Sequence, residues 1–232
     1  MGGKGVTWEG LTSAAVQDPQ GVGAVLSIPL PISQTRLMQK PSVQSELAWV
    51  IEIESSWVPS IQNPKSKATG LIQFLPSTAA KLGTTVEELK KMSRAQQAPY
   101  VSRYFFMAAE GRLCTEVGDL YMLVAAPGAF SREAYHIVYP VGSPGWRDNP
   151  TWRLPGDGPC TVGSIRRRGV PPGELPPDLG VPKGGGVPLP PVPTLTGGGD
   201  LGGFALLALA WLWNESRKKK ARGRRSRQWR ST

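Results

Sequence analysis

The sequence contains few of the residues that bind metal ions. Among its 232 residues are one histidine, His136, and two cysteines, Cys114 and Cys160, which lie far apart. Zinc and haem sites need several ligands close together, so this composition argues against a metalloprotein. We predict no metal and no cofactor. The cysteines allow one disulfide or two free thiols, and we expect free thiols. We expect His136 on the surface or in a loop.

The N-terminus lacks the pattern of a secretory signal. Lys4 is the only basic residue before Trp8, and the first apolar stretch, residues 22–32, is interrupted by Pro29 and Pro31. A signal peptide needs a continuous apolar core, so we expect none here. Residues 1–40 also lack a sustained hydrophobic period and are rich in Gly, Gln, Ser and Pro. We interpret them as an irregular N-terminal arm, either free or partly packed on the domain.

Acidic residues are missing from the strongly basic end of the chain. Residues 217–230 hold nine Lys or Arg and no acid, while the rest has 18 basic and 17 acidic residues. The net charge of +10 therefore belongs to a basic tail, residues 215–232. Such a tail could bind nucleic acid non-specifically, bind anionic lipid, or be merely solvated.

A long hydrophobic run occurs at only one place, residues 201–213. As a helix these 13 residues span about 20 Å, less than the roughly 30 Å of a bilayer core. We predict a membrane helix over residues 200–214; a helix packed on protein or lying in the membrane interface is the alternative. Before it, residues 169–199 contain nine glycines and nine prolines and are predicted to be a linker.

Residues 41–136 carry the patterns of a folded, mainly α domain. Residues 137–168 form an extension of uncertain order, with two tryptophans and the triplet Arg166-Arg167-Arg168. Hydrophobic periodicity, capping residues and Gly or Pro stops predict helices at residues 42–54, 77–82, 95–109 and 117–126, with another beginning near residue 84.

Glu54 closes the first of these helices on its apolar face. It lies four residues after Val50 and three after Ile51, so all three share one side of the helix. Apolar surroundings disfavour an ionised carboxylate, so the pKa of Glu54 should be raised. Glu52 points to nearly the opposite face and is expected in solvent. Trp57, three residues beyond Glu54, fits either a core position or a platform for a sugar ring.

A second carboxylate to work with Glu54 is missing. No aspartate occurs between Pro41 and Gly118, and the other acids there are expected on exposed helix faces: Glu46, Glu87, Glu88, Glu110 and Glu116. Glycosidases usually flank the scissile bond with two carboxyl groups. The pattern therefore favours chemistry with a single acid.

Three segments in order carry a family resemblance. They are Ile53-Glu54-Ser55, the block from Ala68 to Ala79 that contains Gly-Leu-Ile-Gln-Phe, and Leu82-Gly83. Together they resemble the lytic transglycosylase (SLT) domain of the lysozyme-like superfamily over residues 42–135. The resemblance implies a lysozyme-like helical fold and peptidoglycan glycan strands as substrate. It also implies cleavage of the β-1,4 bond between N-acetylmuramic acid and N-acetylglucosamine, leaving a 1,6-anhydromuramic end.

The resemblance also assigns roles to individual residues. Glu54 would be the catalytic acid and then the base, and Ser55 would orient Glu54 or the substrate. Gln73 and the backbone near Gly70 would line the sugar groove. The family's Ala-Tyr-Asn-Ala-Gly-type segment is not matched; the nearest segment keeps an aromatic hydroxyl at Tyr121 and lacks the Asn. Tyr121 is therefore either a substrate contact or a core aromatic residue.

The terminal segments suggest where such an enzyme would work. An apolar helix at residues 201–213 followed by a basic tail resembles the layout of virion-associated transglycosylases of phages with an internal membrane. The resemblance implies a membrane-associated virion protein that opens the host cell wall, with membrane lipid as a further partner and nucleic acid or anionic lipid at residues 217–230. The alternatives are a hydrolytic muramidase on the same fold and a non-catalytic structural protein of the virion membrane.

Overall fold

The computed structural model describes residues 8–176. The predicted membrane helix and basic tail, and most of the predicted linker, lie outside the described residues. The described chain is mainly helical, which confirms the predicted class. Its helices are α1 Glu9–Gln17, α2 Pro19–Leu26, α3 Gln34–Leu37, α4 Val43–Ser55, α5 Pro76–Lys81, α6 Val86–Lys91, α7 Arg94–Ala109, α8 Asp119–Ala125, α9 Pro144–Asp148 and α10 Val162–Gly169.

Short 3₁₀ turns and one small sheet complete the structure. The turns are Pro127–Ala129 and Pro150–Trp152. The strands β1, Ile137–Tyr139, and β2, Cys160–Thr161, pair antiparallel with an irregular register. Between residues 8 and 176, no helix is both long and apolar enough to cross a bilayer.

Helix α4 runs through the centre of the core. Ser42 caps it by accepting a hydrogen bond from the Ser45 backbone amide, as the sequence predicts. Its apolar residues Leu47, Val50 and Ile51 have no exposed surface. Helices α1, α2, α8 and α10 all contact α4, so both of its faces are covered. The last turn of α4 therefore projects from a rigid support.

The prediction of an irregular arm at residues 1–40 is wrong over its described part. Three helices occupy it, and Leu11, Val22 and Val25 are fully buried in the core. Helices α1 and α2 are only nine and eight residues long and rich in Gly and Ala, so no long hydrophobic period marks them. Their small residues allow close packing instead.

Two acids of α4 are placed differently from the prediction. Glu52 accepts hydrogen bonds from the Gly10 and Leu11 amides at 2.9 and 2.8 Å, so it caps α1 rather than facing solvent. Glu46 is 1% exposed and pairs with the fully buried Arg36. Both faces of α4 are covered by other elements, and that is why these acids are not free in water.

The segment over residues 137–168 folds onto the helical core. Helix α10 packs on α8 and buries Val162 and Ile165 completely. A side chain at Gly118 would come within 2.3 Å of the Arg166 carbonyl oxygen, so the two elements are in close contact. This segment, of uncertain order in the sequence, thereby contributes residues next to α4 and α8. His136 is exposed, and Cys114 and Cys160 are buried free thiols, as expected.

Candidate active site

Glu54 lies in the last turn of α4, where the chain changes direction. Helix α4 ends at Ser55, and the next two residues, Ser56 and Trp57, both have positive φ values of 47° and 62°. Trp57 is completely buried, which makes it a core residue and not a sugar platform. The Glu54 side chain itself is half-buried. It is thus both reachable from solvent and surrounded by protein.

The surroundings of Glu54 change its acidity. Burial raises the pKa of its carboxyl from 4.5 to about 7, while the positive charge of Arg168 acts in the opposite direction. Removing water disfavours the charged form of a carboxylic acid, and a nearby cation restores part of that loss. A carboxyl with this pKa is protonated in about half of the molecules at neutral pH, so it can both donate and accept a proton.

Two tyrosines stand beside Glu54. Burial raises the pKa of Tyr121 to about 12 and that of Tyr104 well above its usual range, and the negative charge of Glu54 adds to both shifts. The Tyr104 hydroxyl donates to the Leu123 carbonyl at 2.8 Å, and the Tyr121 hydroxyl accepts from Trp152 Nε1 at 3.1 Å. Both phenols therefore stay neutral at physiological pH.

A tight turn over residues 69–74 lies across from the end of α4. Thr69 and Phe74 exchange backbone hydrogen bonds at 2.8 and 3.0 Å, and the turn between them needs positive φ at Gly70 and Gln73. The Gln73 Nε2 donates to the Gly70 carbonyl at 3.1 Å. The buried Ser55 hydroxyl can donate to the Leu71 carbonyl at 2.9 Å or to Ile51 at 3.1 Å. Ser55 thus ties the turn to the helix that carries Glu54.

Residues 32–102 match the family model of the transglycosylase SLT domain. The match comes from a comparison with protein families; no curated protein and no solved structure matches the chain significantly. We call residues 32–102 the SLT region; it contains Glu54, Ser55, Gly70 and Gln73. Tyr121 and helix α10 lie beyond it in the sequence, although Tyr121 and Arg168 of α10 both interact electrostatically with Glu54.

Gln97 holds the turn of the SLT region, and sequence reasoning missed it. It is fully buried on α7; its Oε1 accepts from the Leu71 amide at 2.9 Å, and its Nε2 donates to the Pro59 and Leu89 carbonyls. A side chain at Gly70 would lie 2.6 Å from Gln97 Oε1, so only glycine fits there. A glutamine in a predicted helix is usually expected to face solvent, and nothing in the sequence indicated that Gln97 would be buried.

Arg168 is a second residue that the sequence did not connect with the site. It lies in the last turn of α10, and its carbonyl accepts from Trp49 Nε1 on α4 at 3.1 Å. Its Nε is buried without a hydrogen-bond partner among residues 8–176. The sequence contained the arginine triplet, but nothing in it indicated that α10 would return to α4. The positive charge of Arg168 lowers the pKa of Glu54 and so opposes the effect of burial.

The structure brings the predicted site residues together to different degrees. The Ser55 hydroxyl connects α4 to the Gly70 turn by a hydrogen bond to the Leu71 carbonyl. Burial raises the pKa of Tyr121, and the negative charge of Glu54 raises it further. Tyr121 is only 3% exposed, so most of its ring belongs to the core. Direct contacts of Ser55, Gln73 and Tyr121 with a substrate stay predictions. Within the described part of the chain, no three His, Cys, Asp or Glu side chains are grouped to hold a metal ion.

Proposed function

We propose that this protein is a peptidoglycan lytic transglycosylase with Glu54 as its one catalytic carboxyl group. The observation that carries the proposal is the half-buried Glu54 carboxyl with a pKa near 7, inside a region that matches the SLT domain. A general acid works best when its pKa lies close to the operating pH. Glu54 meets this condition without help from a second carboxylate.

The proposed reaction uses one proton twice. Glu54 protonates the glycosidic oxygen as the bond to muramic C1 breaks, and the departing sugar takes that proton. The acetamido oxygen of muramic acid stabilises the positive charge that develops at C1. The ionised Glu54 then removes the proton from the C6 hydroxyl, whose oxygen bonds to C1. The anhydro ring closes, Glu54 is protonated again, and no water is consumed.

Neighbouring acids of the helical core are occupied elsewhere, which supports a single-acid mechanism. Glu46 is held by Arg36 and by the amides of Gly118 and Leu120, and Glu52 caps α1. Asp119 accepts from two amides and from Arg166. None of these carboxylates is available to act as a nucleophile beside Glu54 or to position water.

Arg168 suits the change of Glu54 from acid to base. Burial alone favours the protonated carboxyl, and the arginine charge limits that effect. After proton transfer, the same charge stabilises the carboxylate until it removes the C6 proton. Gln73 is half-buried and its Oε1 accepts no hydrogen bond from residues 8–176, so we place it on the sugar groove with the Gly70 backbone.

The chemical ends of the products test the proposed reaction. Purified cell wall digested by the protein should release muropeptides that end in 1,6-anhydromuramic acid, measured by mass spectrometry. A hydrolytic muramidase would leave reducing ends, each heavier by one water. Reducing ends as the main product would replace the transglycosylase proposal with the muramidase, and an absence of new ends would favour a structural protein.

We further propose that the enzyme is carried by a phage virion and acts on the host wall. The sequence features behind this proposal are the apolar run at residues 201–213 and the basic residues 217–230. The first would associate with membrane lipid and the second with anionic lipid or packed nucleic acid. Both segments lie outside the described residues, so this placement depends on sequence alone.

A further inference from the structure

A cavity of about 590 Å³ lies between α10 and the segment that follows the second 3₁₀ turn. Three arginines line it, Arg153, Arg167 and Arg168, together with Ser164 and Leu154. All of these residues are C-terminal to the SLT region. No acidic side chain lines the cavity, so its wall carries positive charge.

The arginines around the cavity differ in how far their charges are already paired. Arg166, the first of the triplet, pairs with Asp119 and Glu116 away from the cavity. Arg153 pairs with Asp157 and stacks 3.7 Å from the Trp146 ring centre. Its guanidinium also donates to backbone carbonyls.

Arg167 and Arg168 are the arginines with donors to spare. Between residues 8 and 176 neither forms an ion pair, and the one side-chain partner of the Arg168 guanidinium is the Tyr121 hydroxyl. The Arg168 Nε is buried, and leaving such a donor without an acceptor is costly. A planar guanidinium satisfies its donors best with a carboxylate or a phosphate, which accept two parallel hydrogen bonds. The cavity is therefore suited to an anionic group.

Two connections link the cavity to the candidate active site. Arg168 lines the cavity and also acts electrostatically on Glu54 and Tyr121. Ser164 lines it as well and donates to the Trp152 carbonyl, while the Trp152 indole donates to the Tyr121 hydroxyl. Helix α10 thus carries two of the cavity arginines and packs against α4 and α8, the helices that carry Glu54 and Tyr121.

We propose that the cavity binds a carboxylate of the stem peptide attached to the muramic acid of the substrate, with Arg167 and Arg168 as its ligands. This inference rests on the proposed function, because a muramic sugar at Glu54 carries that peptide on its lactyl group. Pairing the peptide carboxylate with these two arginines would hold the muramic residue in register with Glu54. The site would make the enzyme prefer peptide-bearing over peptide-free glycan strands.

The variant Arg167→Gln tests the proposal, because Arg167 is exposed and has no structural partner in the described chain. Rates of anhydro-end formation are compared on intact peptidoglycan and on strands stripped of peptide by an amidase. We expect kcat/KM of the variant on intact strands to fall by about tenfold, mainly through KM, as for loss of one charge-assisted contact. The preference for intact strands should shrink by the same factor.

Two further variants and one further substrate sharpen the comparison. Arg132→Gln removes an equal charge from an exposed arginine that does not line the cavity, and it should retain the preference. Arg167→Lys keeps the charge without the planar fork and should recover part of the loss. Strands whose stem carboxylates are amidated should lose the preference with the wild-type enzyme.

The outcomes separate the cavity from the reaction. If wild type and Arg167→Gln show the same preference for intact strands, the carboxylate site is wrong while the transglycosylase proposal stands. If wild type forms anhydro ends on neither substrate, the reaction is wrong, and binding of a soluble muramyl tetrapeptide decides the site. That peptide should shift the indole NMR signals of Trp146 and Trp152 in wild type and bind about tenfold more weakly to Arg167→Gln. No binding, or equally tight binding of inorganic phosphate, would overturn it.

Discussion

Replacing Glu54 by glutamine is expected to reduce the rate of anhydro-product formation by about a thousandfold or more. Glutamine keeps the size of the side chain but has no proton to donate or to take back, and one positioned acid or base contributes about 10² to 10⁴ in rate. Because Glu54 is proposed to fill both roles, the loss should lie towards the upper end. The measurement is release of anhydromuropeptides from purified wall under initial-rate conditions.

The matched control is Glu87→Gln, which makes the same change at an exposed position of α6. It should retain wild-type activity. If Glu54→Gln retains more than about a tenth of the wild-type rate, the loss is smaller than removal of a general acid causes. Another group would then supply the proton.

Loss of activity in Glu54→Gln should not come from unfolding. The pKa of Glu54 rises from 4.5 in the unfolded chain to about 7 in the folded one, so folding favours the protonated form. Below pH 4.5 the carboxyl is protonated in both states; between pH 4.5 and about 7 only the unfolded chain ionises, so the free energy of unfolding of the wild type falls over this range and stays reduced above it. The neutral variant escapes this loss and should be more stable above pH 7, by at most about 3 kcal/mol.

Glu46→Ala is expected to cause the largest loss of stability, about 3 to 5 kcal/mol. The change leaves Arg36 buried without its carboxylate, and breaking one side of a buried ion pair has costs of this size. It also removes the acceptor for the amides of Gly118 and Leu120, which lie 2.9 Å from Glu46 Oε1. Urea unfolding followed by circular dichroism measures the effect.

The partners of Glu46 also explain why this change should affect the site. The two amides belong to the start of α8, which carries Tyr121. Glu46→Gln keeps an acceptor for them and should lose less stability than Glu46→Ala. Glu110→Ala removes a carboxylate from an exposed pair with Arg112 and should change stability little. Equal small effects at positions 46 and 110 would contradict the buried network.

Sequence reasoning reached the parts of the site that depend on local pattern. The helix ending at Glu54 shows a clear period of apolar residues and a serine cap, and the turn at Gly70 carries its own glycine. The capping box of Thr85 and Glu88 at α6 is likewise local. Each of these features is determined by residues within one or two turns, so a single sequence contains the whole signal.

The parts that the sequence did not reveal depend on contacts between distant segments. Glu46 meets amides more than 70 positions away, and Glu52 caps a helix 41 positions upstream. A helical period shows which face is apolar, but it does not show that a second element will cover the polar face of α4. The same limit hid Arg168, since α10 reaches Glu54 only after the chain has passed through two strands.

The acidity of the Glu54 carboxyl tests the central claim most directly. The side-chain carboxyl carbons are labelled with ¹³C, and the Glu54 signal is assigned by its absence from the Glu54→Gln spectrum and followed against pH. The account predicts a midpoint close to 7 in the folded protein, well above the ordinary value of 4.5. A midpoint near 4.5 would mean that the carboxyl is ionised at neutral pH and would contradict its role as the proton donor.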